Sequence, residues 1–146
     1  MKLTQRLATP ADEAFARDTH HQALHDVVVA QFGAWDVLLQ DGFFQRGWEA
    51  RPNNILLYDD TPCGYVTIEE ASDHIYVHEL VIHPDFQGKK IGTNLLEELF
   101  KKSTFEKIPV RLQVLHKNKA QHLYKRLGFV QSGQTETHFL MERPSP

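Results

Sequence analysis

The stretch Leu80-Val81-Ile82-His83-Pro84-Asp85-Phe86-Gln87-Gly88-Lys89-Lys90-Ile91-Gly92-Thr93-Asn94-Leu95-Leu96 organises the chain. A strand-like apolar run stops at Pro84. A turn with Gly88 and Gly92 follows, then a helix carrying Ile91, Leu95, Leu96 and Leu99 on one face. A strand that feeds a glycine-bearing turn and opens a helix is a ready anion site. Glycine lets a ligand approach the backbone, and the first helical N–H groups have no acceptor within the chain. Lys89 and Lys90 add positive charge. The stretch predicts a phosphate site but does not say whose phosphate. Two familiar answers fail. No segment supplies Gly-x-x-x-x-Gly-Lys-Ser/Thr, and none supplies the Gly-x-Gly-x-x-Gly of a dinucleotide fold.

Working outward, 146 residues at 41% hydrophobic and 24% charged predict one domain, 1–146, with a real core. No apolar run approaches the ~20 residues of a membrane span. Met1 to Pro10 lacks the basic-then-apolar layout of a signal peptide. The lone Cys63 excludes an internal disulfide and fits a reducing cytoplasm. Net charge is −3, split as −7 over residues 1–73 and +4 over residues 74–146. The basic half suits an anionic ligand and the acidic half a cationic one. Overall acidity argues against nucleic acid as the main partner.

The chain in order reads βααβββαβαββ. Strands are expected at Leu3–Leu7, Ile55–Tyr58, Gly64–Glu70, Ile75–Ile82, Val110–Leu115, Phe129–Ser132 and His138–Met141. The first helix starts with Thr9 as cap and Pro10 at its first position, and runs to about Ala30 before Gly33. Its candidate core residues are Phe15, Leu24, Val27 and Val28. A second helix spans Asp36 to Glu49, a third runs from after Gly88 to about Lys102, and a fourth covers Asn118 to Leu127, stopped by Gly128. This is an α/β (α+β) pattern: a mixed sheet with helices on its faces.

That order and two motifs resemble the GNAT acetyltransferase superfamily over most of the chain. The first motif is Gln87-Gly88-Lys89-Lys90-Ile91-Gly92, against a family pattern of Gln/Arg-x-x-Gly-x-Gly/Ala. Lys90 stands where the family has its middle glycine. The second is Asn118-Lys119-Ala120-Gln121-His122-Leu123-Tyr124, closing in Leu127-Gly128-Phe129. The resemblance implies a mainly antiparallel central sheet with helices on both faces, and strands 75–82 and 110–115 splayed apart. It implies acetyl-CoA as co-substrate. Its pyrophosphate would lie on Gln87, Gly88, Lys89, Lys90, Ile91 and Gly92, and its pantetheine arm against the backbone of Leu80, Val81 and Ile82. Asn118 would contact it from the second motif.

Acetyl transfer to an amine needs a base, because an amine of pKa about 10 is mostly ammonium at neutral pH. It also needs donors for the developing oxyanion and an acid for the leaving thiolate. Glu79 is the base candidate. Strand alternation groups it with Ile75, Val77 and Val81, a dry set that would raise its pKa, and places His78 on the opposite face. The plainer alternative is a carboxylate paired with a Lys or Arg at a cleft mouth. Tyr124 is the family's usual acid to the sulfur, and it also fits a packed core slot. Asn118 with Gln121 reads as a capping box as well.

His78, His83 and His116 are other base candidates. His21 and His25 lie four apart on a helix, but no third ligand accompanies them, so no metal is assigned. Cys63 reads as a structural thiol. Trp35, Asp36, Phe43, Phe44 and Trp48 fall where relatives wall the acceptor site, and Asp36 and Asp41 suit an ammonium. The expected function is acetyl-CoA-dependent N-acetylation of a small-molecule or peptide amine by direct attack. A non-catalytic acyl-CoA-binding or sensing module of the same fold is the alternative. A homodimer is compatible with the resemblance.

Overall fold

A computed structural model describes residues 2–146. Its strands are β1 (Leu3–Leu7), β2 (Asn54–Tyr58), β3 (Thr61–Glu70), β4 (Ile75–Ile82), β5 (Val110–Leu115), β6 (Val130–Gln134) and β7 (His138–Arg143). Its helices are α1 (Glu13–Phe32), α2 (Val37–Ala50), α3 (Ile91–Glu106) and α4 (Ala120–Arg126). The element order matches the sequence reading. The seven strands form one sheet in the order β1-β2-β3-β4-β5-β7-β6. Only β4 and β5 run parallel, and every other pair is antiparallel.

Local chemistry sets the element ends. Asp12 turns its carboxylate back to the Thr9 N–H (2.8 Å) and to Arg6, fixing the chain's entry into α1 through a 3-10 turn at Pro10–Asp12. Gly33, at φ +88°, ends α1 in the left-handed region, where a Cβ is costly. Asp36 then caps α2 by accepting the Leu39 N–H at 3.1 Å.

Packing sorts the helices onto two faces. Ile75, Val77, Leu96, Phe100, Val110, Leu112 and Phe129 form one core under α3 and α4. Leu56, Val66, Ile91 and Leu95 continue that layer. On the other face Ala16 of α1 and Phe44 of α2 pack on Ile55, Tyr65 and Val81. The four core candidates of the first helix fare unequally: Val28 is buried, Phe15, Leu24 and Val27 only in part, and the buried stripe is Ala16, Thr19, His20 and Val28.

Two features depart from simple strand geometry, and both serve the site. Pairing between β4 and β5 stops at Val77↔Leu112, although the strands continue to Ile82 and Leu115. The sheet opens from there. Second, Thr67 opposes Glu79 while Ile68 opposes Val77, so His78 is an extra residue in β4. The bulge overturns strict alternation. Ile75 and Val77 face α3, whereas Val81 packs under α1 and α2, and His78 and Glu79 line the same cleft.

Candidate active site

The phosphate-like turn is built by short-range chemistry. His83 Nδ1 accepts the Asp85 N–H at 3.2 Å, and Gln87 Nε2 donates to Ile82 O at 3.1 Å. These bonds fold residues 83–87 back on the strand end. Lys90 lies in the left-handed region at φ +62°, ψ +23°, where glycine is the usual residue. The departure from the family pattern therefore keeps the backbone that a glycine would adopt. The first intrahelical bond of α3 is Asn94 N–H to Lys90 O at 3.0 Å, so the N–H groups of Ile91, Gly92 and Thr93 precede it. A Cβ on Gly88 would meet nothing within 4 Å, and one on Gly92 would only touch Leu123 and Leu80 at 3.9 and 4.0 Å. The glycines thus keep open the space above the turn, and that space fits a bulky anion held by backbone N–H groups.

A cavity of about 380 Å³ occupies this position. Leu80, Val81, Ile82, Gln87, Gly88, Lys90, Ile91, Gly92 and Asn118 all line it. Lys89 does not: its Nζ lies 5.9 Å from the centre of the Tyr58 ring. A second cavity of about 610 Å³ fills the gap between β4 and β5 and extends under α1 and α2. The two share Leu24, Leu80, Val81, Asn118 and Tyr124, so they meet where the strands part.

Glu79 lies on the wall of the larger cavity. Behind it a pocket of about 10 Å³ is lined by His20, Phe44, Trp48, Asn53, Tyr65 and Thr67. Burial among these groups pushes the Glu79 carboxyl up to about 7. No hydrogen bond or ion pair engages it among the described residues. The alternative of a carboxylate paired with a Lys or Arg is absent.

Tyr124 lines both cavities and packs against Phe129 with ring centres 5.7 Å apart. Burial, reinforced by the nearby Glu79 charge, raises its hydroxyl to about 12, so it holds its proton at neutral pH. Asn118 Oδ1 accepts the Ala120 N–H at 2.9 Å. The expected capping box is not formed. The helix starts two residues later than expected, at Ala120, and Gln121 donates to the carbonyls of His116 and Asn118 instead.

The other histidine candidates have partners of their own, and of them only His78 lines the cleft, among the described residues. His78 Nε2 meets Glu69 Oε1 at 2.8 Å and its ring lies 4.4 Å from Tyr76. His83 holds its turn. His116 lies against Phe139 at 4.4 Å and lines neither cavity. His21 bonds Asp41 at 2.6 Å, which takes Asp41 out of the cleft, while Asp36 stays on the rim. His25 bonds its neighbour Asp26. No group of three metal-ligating side chains occurs among the described residues.

His20 escaped the sequence reading. It lines both the cleft and the small pocket with Glu79, and burial lowers its pKa to about 4, which keeps it neutral. The signal was present: residues 16, 19 and 20 share the helical spacing of a buried face.

Comparison with known proteins gives the family and the fold. Residues 51–131 match the acetyltransferase (GNAT) domain. An uncharacterised N-acetyltransferase of Methanocaldococcus jannaschii is 34% identical over 93 residues, 62% of this chain and 39% of that protein's length. The crystal structure of the PaiA N-acetyltransferase of Thermoplasma acidophilum, in complex with coenzyme A, superposes with a TM-score of 0.75 at 19% identity over 99% of both chains. The Escherichia coli ribosomal-protein-S18-alanine N-acetyltransferase gives 0.68 at 20% identity, over 99% of this chain and 96% of that one.

Proposed function

This chain belongs to the GNAT acetyltransferase family, and from that premise we propose an acetyl-CoA-dependent N-acetyltransferase that acts on a primary amine by direct attack in a ternary complex. The observation that carries the proposal is the meeting of two cavities at Tyr124 and Asn118, with an unpaired, desolvated Glu79 on one wall. Coenzyme A in the similar PaiA structure supports the choice of cofactor. The turn from Gln87 to Gly92 would hold the pyrophosphate, with Lys89 left out of that set. The free edge of β4 at Leu80, Val81 and Ile82 would hold the pantetheine arm.

Acetyl-CoA supplies an activated thioester carbonyl. Glu79 takes the ammonium proton, the freed amine nitrogen forms the new C–N bond, the C–S bond breaks, and Tyr124 gives its proton to the departing thiolate and regains one from the nitrogen as the amide forms. A base with a pKa of about 7 is half ionised at neutral pH, which suits the task. N–H groups on β4 beyond Val77, unpaired by β5, polarise the carbonyl. Glu79→Gln tests the assignment. It should cut turnover about 10²- to 10⁴-fold while leaving acetyl-CoA affinity within about twofold. Full turnover in that variant would remove Glu79 from the role.

A further inference from the structure

The acceptor end of the larger cavity has a specific chemical character. Its walls under α1 and α2 are mainly apolar, with Leu24, Val28, Phe32, Leu39 and Phe43 beside His20 and Gln40. Three of these stay half exposed: Phe32 is 52% exposed, Leu39 49% and Phe43 49%. Apolar side chains gathered at a concave mouth mark a surface that a ligand covers. Among the described residues, the only carboxylates on the lining are Glu79 and Asp36, and no Lys or Arg lines the cavity. One oxygen of Asp36 is already committed to the Leu39 N–H. Three other acids of residues 1–73 have partners of their own: Asp12 with Arg6, Asp41 with His21, and Glu69 with His78.

One end of α1 is also tied to the far side of the cleft, beside the lining residue Thr137. Gln31, near the end of α1, donates to Thr137 O at 2.8 Å and accepts the Lys117 N–H at 3.1 Å. It ties the helix to the turn after β5 and to the loop before β7. The cavity of about 610 Å³ includes the gap between β4 and β5 at Val77, Leu112 and Val114, so only part of it is open to an acceptor.

We infer that the acceptor is a small primary amine with a single cationic centre and an apolar aliphatic or aromatic body. The nitrogen lies toward Glu79 and the body lies against Phe32, Leu39 and Phe43. A polyamine or an aminoglycoside brings several positive charges, and this lining has too few carboxylates to receive them. This inference rests on the N-acetyltransferase reading, deepening it at the acceptor site.

The test is calorimetric titration of the whole chain, free and saturated with coenzyme A. The probes are 2-phenylethylamine, spermidine, kanamycin and a tripeptide with a free N-terminus. The expected result is 2-phenylethylamine binding at least about tenfold tighter than the other three. Phe43→Ser should weaken it about fivefold, from the loss of some 40 Å² of apolar contact at about 25 cal/mol per Å². Phe43 is half exposed, so this variant keeps the fold. Tighter binding of spermidine, kanamycin or the peptide overturns the inference, and so does a protein that binds none of the four. Coenzyme A titrated alone reports on the wider reading. If it fails to bind, the cofactor assignment fails, while the ranking of amines on the free protein still decides the acceptor class.

Discussion

Replacing Glu79 with glutamine should stabilise the protein, by an amount that grows from about pH 4.5 and levels off above about 7. The carboxyl sits among Phe44, Trp48, Tyr65 and His20 with no cation beside it, so ionising it in the folded state is costly. Its pKa rises from 4.5 to about 7. The folded protein therefore holds this proton more tightly than the unfolded chain does. That contribution to stability is complete below pH 4.5 and is lost as pH rises through about 7. At about 1.4 kcal/mol per pH unit, the loss reaches about 3 kcal/mol by pH 8.

Glutamine keeps the size and carries no charge. Glu79→Gln should then match the wild type within about 0.5 kcal/mol at pH 4.5 and exceed it by about 3 kcal/mol at pH 8. For a chain of this length that is a rise in Tm of roughly 6–10 °C. The assay is thermal unfolding by circular dichroism of the ligand-free protein across that range. His20, Asp12 and Asp41 also titrate with perturbed pKa values, but they are common to both proteins and cancel in the difference. A variant no more stable than wild type at pH 8, or equally stabilised at both pH values, would refute the reasoning. The first result would mean a solvated carboxylate, and the second a packing effect unrelated to charge.

With Glu79 as the proposed base, kcat/KM should rise with pH and level off above an apparent pKa of about 7, a limb that Glu79→Gln removes in a steady-state profile. Tyr124→Phe should lower kcat by about 10²-fold with KM for acetyl-CoA nearly constant, since the ring packing survives and only the acid is lost. An unchanged kcat would leave Tyr124 as a packed aromatic. Lys90→Gly should raise stability by about 0.5–1 kcal/mol in chemical denaturation, because a side chain at φ +62° is relieved of its left-handed strain.

The order of elements was legible because periodicity and turn chemistry are local. Thr9-Pro10, Gly33, Asp36 and Gly128 mark ends that the structure reproduces to within a few residues. The resemblance located both strands that splay, and the separation of β4 from β5 after Val77 follows it. The site's finer arrangement was less legible. Alternation counts two residues per repeat, so a bulge at His78 is invisible to it, and Glu79 was grouped with Ile75 and Val77 on the wrong face.

Apolarity likewise does not reveal which hydrophobes stay in water. On α2, Phe44 is buried, whereas Leu38 is 84% exposed and Phe43 faces the cleft. Lys89 and Lys90 looked equivalent as charges, yet the backbone turns one toward Tyr58 and sets the other at the head of α3. His20 needed tertiary contacts from α2, β3 and β4 before its place beside Glu79 emerged.

The central claim is that acetyl groups leave coenzyme A for an amine at the junction marked by Glu79 and Tyr124. The most direct measurement is thiol release from acetyl-CoA against a panel of primary amines, with mass spectrometry of the product. The account predicts amine-dependent release by the wild type, an acetylated amine roughly 42 Da heavier, an acetyl group in place of a hydrogen, and loss of both in Glu79→Gln. Tight binding of acetyl-CoA with no amine-dependent release across that panel would contradict it and mark the chain as a binding module.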